Sequence, residues 1–144
     1  MSEDSIMTVK VGVLLPFDFN LYQVGIVLDV LKSTNQYCYD NGIDFRFEIE
    51  IVQTQGQINE NSNAFYNIPV TSTLSEKSYE LVFIPPIETD DISEILEKNK
   101  VFKDWIIEQH EQKAQIYSFS NAIVLLAHSG LLDHQKIGLL GIED

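Results

Sequence analysis

The sequence predicts one α/β domain, with a mostly parallel β-sheet flanked by helices. Short apolar or alternating segments, which are typical of strands, alternate along the chain with longer segments whose apolar residues recur at helical spacing. The 144 residues contain no internal repeat and no low-complexity linker. Residues 1–144 are therefore expected to form a single domain, with residues 1–7 as a flexible N-terminus.

The first predicted unit is a strand, a loop and a helix. Thr8–Leu15 is β-branched and apolar almost throughout, as expected of a strand buried on both faces of a sheet. The helix begins at Leu21 and ends near Asn41-Gly42, a pair that stops helices. Its apolar stripe contains Leu21, Val24, Leu28 and Leu31, widened by Val27 and Val30.

The next segment predicts a strand with one solvent-exposed face. In Phe45–Ile51 apolar residues alternate with charged ones, which has the period of a strand and favours a position toward a sheet edge. Gln53–Asn63 is rich in Gln, Asn and Gly and is expected to be a polar loop. Phe65–Thr73 is expected to return as a short strand or a hairpin, interrupted by Pro69.

The second half repeats the alternation. Glu80–Ile84 predicts a central strand that stops at Pro85-Pro86, because neither proline can donate a ladder hydrogen bond. Asp90–Glu111 has the spacing of one or two amphipathic helices, broken near Asn99. Gln115–Phe119 is expected to be a short apolar strand.

Composition and charge exclude several classes of function. Nine Lys and Arg against 22 Asp and Glu give a net charge of −13, which would repel a phosphate backbone, so no nucleic acid is expected to bind this segment. The longest apolar run, Ala122–Ala127, is too short to span a bilayer. Met1–Met7 is acidic and polar, unlike a secretory signal, which predicts a cytoplasmic protein. Cys38 is the only cysteine, which excludes an intrachain disulfide.

Candidate site residues lie where strands of a parallel sheet end, in the loops Pro16–Asn20, Pro85–Thr89 and Phe119–Asn121. The third loop leads from a strand into a predicted helix, Asn121–His128, which stops at Gly130, and it has Ser120 at its tip. It is a loose version of the nucleophile elbow, without the flanking glycines of G-x-S-x-G. A further strand is expected to begin at Ile137.

The histidines do not complete a catalytic site in the sequence. His128 lies eight residues beyond Ser120 on the same predicted helix, about 12 Å along its axis, and so cannot act as its base. His110 and His134 are expected at the surface. No histidine, cysteine or carboxylate spacing indicates a metal site, and the common glycine-rich phosphate loops are absent, so neither a metal nor a cofactor is expected.

Three stretches together resemble the ThiJ/PfpI family, which has the flavodoxin-like, class I glutamine-amidotransferase-like fold. They are VGVLLPFDFNLYQVGIVLDVL (Val11–Leu31), ELVFIPP (Glu80–Pro86) and YSFSNAIVLLAHSGLLD (Tyr117–Asp133). The likeness is strongest to the N-terminal sensor domains of AraC-type transcription regulators. It implies the same α/β fold, with the last strands and helix of that fold missing after residue 144.

The same resemblance implies that the catalytic positions are degenerate. The family's nucleophilic cysteine falls on Ser120, its supporting acid on Gln23 and its histidine on Leu140. Pro86 and Ile87 occupy the family's Gly-Gly, and Pro86 removes a backbone N–H that could stabilise an oxyanion. No catalytic residue is therefore assigned, and loss of enzymatic activity is the favoured interpretation.

The expected function is a non-catalytic ligand-binding or dimerisation domain, either the sensor part of an AraC-family regulator or a free-standing relative. A small-molecule effector would bind in the old active site, against hydrogen-bonding groups and apolar walls, and two or more copies would associate. The candidate pocket residues are Ser120, Asn121 and Gln23, with Phe17, Phe19 and Ile87 as walls and Pro86 beside them. Two alternatives stay open: a rewired serine-dependent hydrolase or amidase, and a protein-interaction module without a small ligand.

Overall fold

The computed structural model describes residues 5–60 and 67–132, apart from the side chains of residues 59 and 60. The strands of this part are β1 (Met7–Leu14), β2 (Phe45–Gln53), β3 (Val70–Ser72), β4 (Leu81–Ile84) and β5 (Gln115–Ser118). The helices are α1 (Leu21–Asp40), α2 (Gln55–Glu60), α3 (Ile92–Asn99), α4 (Lys103–Glu111) and α5 (Ile123–His128). Two 3-10 turns, Lys100–Phe102 and Ser120–Ala122, precede α4 and α5.

The five strands form one sheet in the order β3-β2-β1-β4-β5, and every neighbouring pair is parallel. This confirms the predicted fold class and is consistent with a flavodoxin-like architecture. The chain moves from β1 to one side for β2 and β3, then crosses to the other side for β4 and β5. The strand order therefore reverses between β1 and β4, and a crevice at the carboxyl ends of these strands is the usual ligand site of such sheets.

Apolar side chains fill a layer on each face of the sheet, because alternate residues of a strand point to opposite faces. On one face, Val11, Val13 and Ile51 pack with Val24 and Leu28 of α1. On the other face, the sheet packs against the last three helices. The residues of this second layer include Leu14, Val52, Val82, Ile84, Ile95, Phe102, Trp105, Ile106, Leu125 and Leu126.

The exposed face predicted for β2 is present, although β2 is the second strand from the edge. β3 pairs with β2 only over Ile51–Gln53, so among the described strands the first part of β2 pairs with β1 alone. The connection from β3 to β4, residues 73–80, contains no helix to cover the second face of the sheet there. Tyr79 of this connection lies across β1 at Gly12, where an added Cβ would stand 3.0 Å from the tyrosine ring. Because Gly12 has no side chain, the segment that contains Tyr79 can cross β1 in close contact with its backbone.

The expectation of a polar loop over Gln53–Asn63 is wrong for its first part, which forms α2. The cause is a capping box. The Gln57 N–H donates to Thr54 Oγ1 at 3.1 Å, and the Thr54 N–H donates to Gln57 Oε1 at 2.9 Å. Two backbone donors are thus satisfied at the helix start, which outweighs the poor helix propensity of this segment.

The short strand expected within Phe65–Thr73 is β3, Val70–Ser72, and residues 65 and 66 lie outside the described residues. The other predicted boundaries shift by one or two residues. The break near Asn99 is confirmed as the 3-10 turn between α3 and α4. The helix expected from Asn121 starts as a 3-10 turn and becomes α-helical at Ile123. The strand expected from Ile137 lies outside the described residues. Over residues 5–60 and 67–132, no helix combines the length and apolarity that crossing a bilayer requires.

Candidate functional site

The turn after β5 has the geometry of a nucleophile elbow. Phe119 is extended, with φ −107° and ψ 131°, and Ser120 follows with φ 54°, in the left-handed region that residues with a Cβ rarely adopt. The 3-10 turn and α5 come next, so a strand turns sharply into a helix with an exposed serine at the bend. Such a conformation costs on the order of 1–3 kcal/mol and persists only where the surroundings enforce it.

Hydrogen bonds to the neighbouring strand and its loop enforce this turn. The Phe119 N–H donates to the Ile84 carbonyl at the end of β4, at 3.0 Å. The Asn121 side chain forms three further hydrogen bonds with the backbone of the loop after β4. Its Oδ1 accepts from the Ile87 N–H at 2.8 Å, and its Nδ2 donates to the carbonyls of Ile87 and Thr89 at 2.7 and 2.9 Å. The amide of Asn121 is thus engaged by backbone on both its donor and acceptor atoms.

The loop after β1 is joined to the same β4 loop. Phe19 and Ile87 form an antiparallel bridge, and the Asn20 N–H donates to the Pro86 carbonyl at 2.9 Å. The Glu88 N–H donates to the carbonyl of Asp18 at 2.7 Å. Three loops, after β1, β4 and β5, therefore form one connected rim at the carboxyl end of the sheet.

The three apolar residues that were predicted as walls of the pocket pack against different layers of the core. Phe19 packs with the α1 layer. Phe17 packs with the layer of the last three helices, 6.0 Å from the Phe102 ring between centroids, and Ile87 is buried in that layer. The Phe17 N–H donates to the buried Asn99 Oδ1 at 2.7 Å. Phe17 and Ile87 thus hold the rim onto the core from one side, and Phe19 from the other.

Gln23 stands in the first turn of α1, next to this rim. Asn20 is the N-cap of the helix, and its Oδ1 accepts from the Gln23 N–H at 2.9 Å. The Gln23 side chain is exposed. Its amide is uncharged, so it can form hydrogen bonds but cannot act as a general base.

A general base for Ser120 is missing among the described histidines. His110 and His128 are both exposed, and neither of them forms a hydrogen bond with Ser120 in the described part of the chain. His134 and Leu140, the two other positions named from the sequence, lie outside the described residues. Residues 5–60 and 67–132 also hold no group of three or more His, Cys, Asp or Glu arranged for a metal ion.

A polar groove of about 240 Å³ lies on the uncovered face of β2, lined by Lys10, Glu48, Glu50, Lys77, Ser78 and Tyr79. Sequence reasoning missed its central group, Glu50, which accepts from Thr71 Oγ1 at 2.8 Å, Tyr79 Oη at 2.8 Å and Lys77 Nζ at 3.2 Å. Burial by itself raises the pKa of Glu50, but these three donors outweigh it and leave the pKa below its ordinary value. Burial and the Glu50 carboxylate raise the pKa of Tyr79.

The segment that crosses β1 beside this groove is fixed from the helix side. Gln109 of α4 is buried, and its Oε1 accepts from the Tyr79 N–H at 3.1 Å while its Nε2 donates to the Lys77 carbonyl at 3.1 Å. The Tyr79 ring also packs against Trp105, 6.2 Å away between centroids. The Glu50 cluster therefore connects β2, β3 and the crossing segment, which is a structural role.

The fold and the rim together define a flavodoxin-like α/β protein with a strained serine turn. No family model matches the sequence, and no curated protein matches it. Among solved structures, the chain is similar to one described as a "putative transcriptional regulator protein from Vibrio parahaemolyticus", with 18% sequence identity and a TM-score of 0.59. The match covers 87% of this chain and 63% of that one, so this chain spans less than two thirds of its neighbour. The likeness supports the fold, and membership of the ThiJ/PfpI family stays a prediction.

Proposed function

We propose that this chain is a non-catalytic effector-binding domain of ThiJ/PfpI type, which acts as the sensor part of an AraC-family transcription regulator or as a free-standing relative. One observation carries the proposal. Ser120 is exposed in a strained turn after β5, which is joined to the loop after β4 beside the switch point of the sheet, while the described histidines leave it without a base. The fold shared with a protein described as a regulator supports the same interpretation.

The rim indicates what kind of effector would suit this site. The exposed Ser120 hydroxyl and the Gln23 amide are neutral hydrogen-bonding groups, and Phe19 supplies an aromatic surface nearby. The Asn121 amide is held by backbone and would fix the shape of the site rather than contact the ligand. A small neutral molecule with an apolar ring and one amide or hydroxyl group matches these groups.

Benzamide, a ring with one amide, is a suitable probe. A ligand of this size is expected to bind with a Kd of about 1 mM, given the free energy that each non-hydrogen atom can contribute. In a titration of ¹⁵N-labelled protein, amide signals of Phe19, Ile87 and Ser120 should shift and saturate. A Ser120→Phe variant should abolish this response, whereas Ser129→Phe, on the far end of α5, should retain it. Absence of saturable shifts at these three amides would contradict the proposal.

The strained serine also favours a second candidate, a serine-dependent hydrolase, because catalytic serines occur at such turns. A fluorophosphonate probe separates the two functions, since it labels only serines activated by a base. We expect no labelling of the wild type at Ser120. Labelling that disappears in Ser120→Ala would replace the sensor function with the hydrolase.

Association of two copies is the other part of the proposal. The described chain exposes several large apolar side chains on α1, which supports a contact with another protein surface. A sensor domain that dimerises can transmit effector binding by changing how two copies are arranged.

A further inference from the structure

Asn35 stands in the apolar stripe of α1, at a position where the spacing indicates an apolar side chain. The buried residues of this helix are Val24, Leu28, Leu31 and Cys38. Position 35 is the next step of the stripe after Leu31 and lies within about 20° of Val24 around the helix axis, at 3.6 residues per turn. Asparagine is also a poor helix former. A polar residue at this point of the stripe therefore needs an explanation outside the helix.

The amide of Asn35 bonds to the backbone of β2 with both its acceptor and its donor atom. The Phe47 N–H donates to Asn35 Oδ1 at 2.7 Å, and Asn35 Nδ2 donates to the Phe47 carbonyl at 2.9 Å. These are the two bonds that a residue of a parallel sheet forms with the strand on one side of it. The Asn35 side chain thus takes the place of a neighbouring strand at Phe47.

The two backbone groups of Phe47 point away from β1, to the outer edge of β2. The Ile51 N–H donates to the Pro69 carbonyl, just before β3, at 2.9 Å, so the backbone groups of Ile51 point outward. The direction alternates from one residue of a strand to the next, and Phe47 precedes Ile51 by an even number of residues. Phe47 therefore points outward as well.

β3 does not cover this part of the edge. It pairs with β2 only over Ile51–Gln53. If the same register continued, the donor for the Ile49 carbonyl would be the nitrogen of Pro69, which carries no hydrogen. Among the described residues, the edge of β2 from Phe45 to Ile49 therefore has no neighbouring strand.

An open strand edge is a place where another extended chain can add. Phe45–Ile51 alternates aromatic or branched apolar residues with charged ones, which gives it the high strand propensity that such pairing requires. We infer that Asn35 closes this edge: because its amide occupies both backbone groups of Phe47, no strand of another chain can pair with β2 there. The inference goes beyond the proposed function and depends neither on effector binding nor on the association of copies.

Binding of an extended peptide tests the inference. Asn35→Leu opens the edge, because leucine suits the apolar stripe and the helix but cannot bond to Phe47. Gln36→Leu is the matched control, since it introduces the same side chain at an exposed position one residue further along α1. The probe is a labelled peptide of alternating threonine and valine with a lysine at each end, whose positive charge suits a chain of net charge −13.

Fluorescence anisotropy should show that the peptide binds Asn35→Leu about tenfold more tightly, or better, than it binds the wild type or Gln36→Leu, because only the first protein offers free backbone groups at Phe47. Equal affinity for all three proteins would overturn the inference.

Hydrogen exchange separates an opened edge from a loosened fold. In Asn35→Leu the Phe47 amide should exchange about tenfold faster than in the wild type, or more, because its acceptor is gone. The amides of Val11 and Val13, which are buried in β1, should keep their protection. Equal acceleration at all three amides would mean that Asn35 holds the whole fold together. Unchanged exchange at Phe47 would mean that Asn35 does not occupy its N–H in solution, and either result would refute the closed edge.

Discussion

Replacement of Asn121 by alanine should destabilise the protein by about 2–3 kcal/mol. The side chain forms three hydrogen bonds with the backbone of the loop after β4, and each such bond contributes about 0.5–1.5 kcal/mol net. The sum is about 1.5–4.5 kcal/mol, and the middle of this range applies because the site is only half-buried and water can reach some of the freed groups. Ile87 is buried, so water cannot readily replace the hydrogen bond that its N–H loses when Asn121 is removed.

Urea unfolding followed by the fluorescence of Trp105, the only tryptophan, measures this loss. Asn41→Ala is the matched control, because it removes one exposed bond, from Asn41 Nδ2 to the Tyr37 carbonyl at 2.9 Å, and should cost less than about 0.5 kcal/mol. Asn121→Asp keeps the acceptor but directs a carboxylate at two carbonyl oxygens, so it should be at least as damaging as alanine. If Asn121→Ala cost no more than the control, the connection between the two loops would not be what holds the rim.

Three further predictions concern single residues. Gly12→Ala should cost about 1–3 kcal/mol in urea unfolding, because the new Cβ would stand 3.0 Å from the Tyr79 ring; an unchanged midpoint would contradict this contact. Ser120→Gly should stabilise the protein by about 1 kcal/mol, since glycine adopts φ 54° without strain, whereas Ser129→Gly, at φ −80°, should bring no gain. The pKa of Glu50 is lowered in the folded protein, so its contribution to stability is present above its ordinary pKa of 4.5 and is lost as the pH falls through the folded value. Urea unfolding between pH 3 and 7 should show this loss in the wild type and a weaker one in Glu50→Gln, and equal pH profiles would refute it.

The strands and most helices could be predicted because their signals are local. The alternation from Phe45 to Ile51 identifies a strand with one exposed face whatever its neighbours are. The capping box of Thr54 and Gln57 is also local and is visible in the sequence, but the polar composition around it indicates a loop more strongly. Here a specific pair of side chains determines the structure, and average composition does not.

The connections of the candidate site could not be predicted, because they join residues far apart in the chain. Asn121 bonds to Ile87, 34 residues earlier, and Glu50 bonds to Tyr79, 29 residues later. Each pair depends on the path of a loop or a crossing segment that no periodicity specifies. The elbow motif indicates a sharp turn at Ser120, yet the residue type gives no sign of a positive φ, since serine has no preference for it.

The strain at Ser120 has a structural explanation that does not require catalysis. Positive φ at a residue with a Cβ persists when the surrounding structure over-determines it. Here the Phe119 N–H is fixed to the Ile84 carbonyl, Asn121 is fixed to the β4 loop by three bonds, and Ala122 is fully buried. The residues on both sides are thus held, and the serine between them has to complete the turn. Such a turn can therefore persist without an acid or a base beside it, because the same bonds also connect the loops at the ends of β1, β4 and β5. For this reason the geometry of Ser120 supports a retained binding site at least as well as a retained nucleophile.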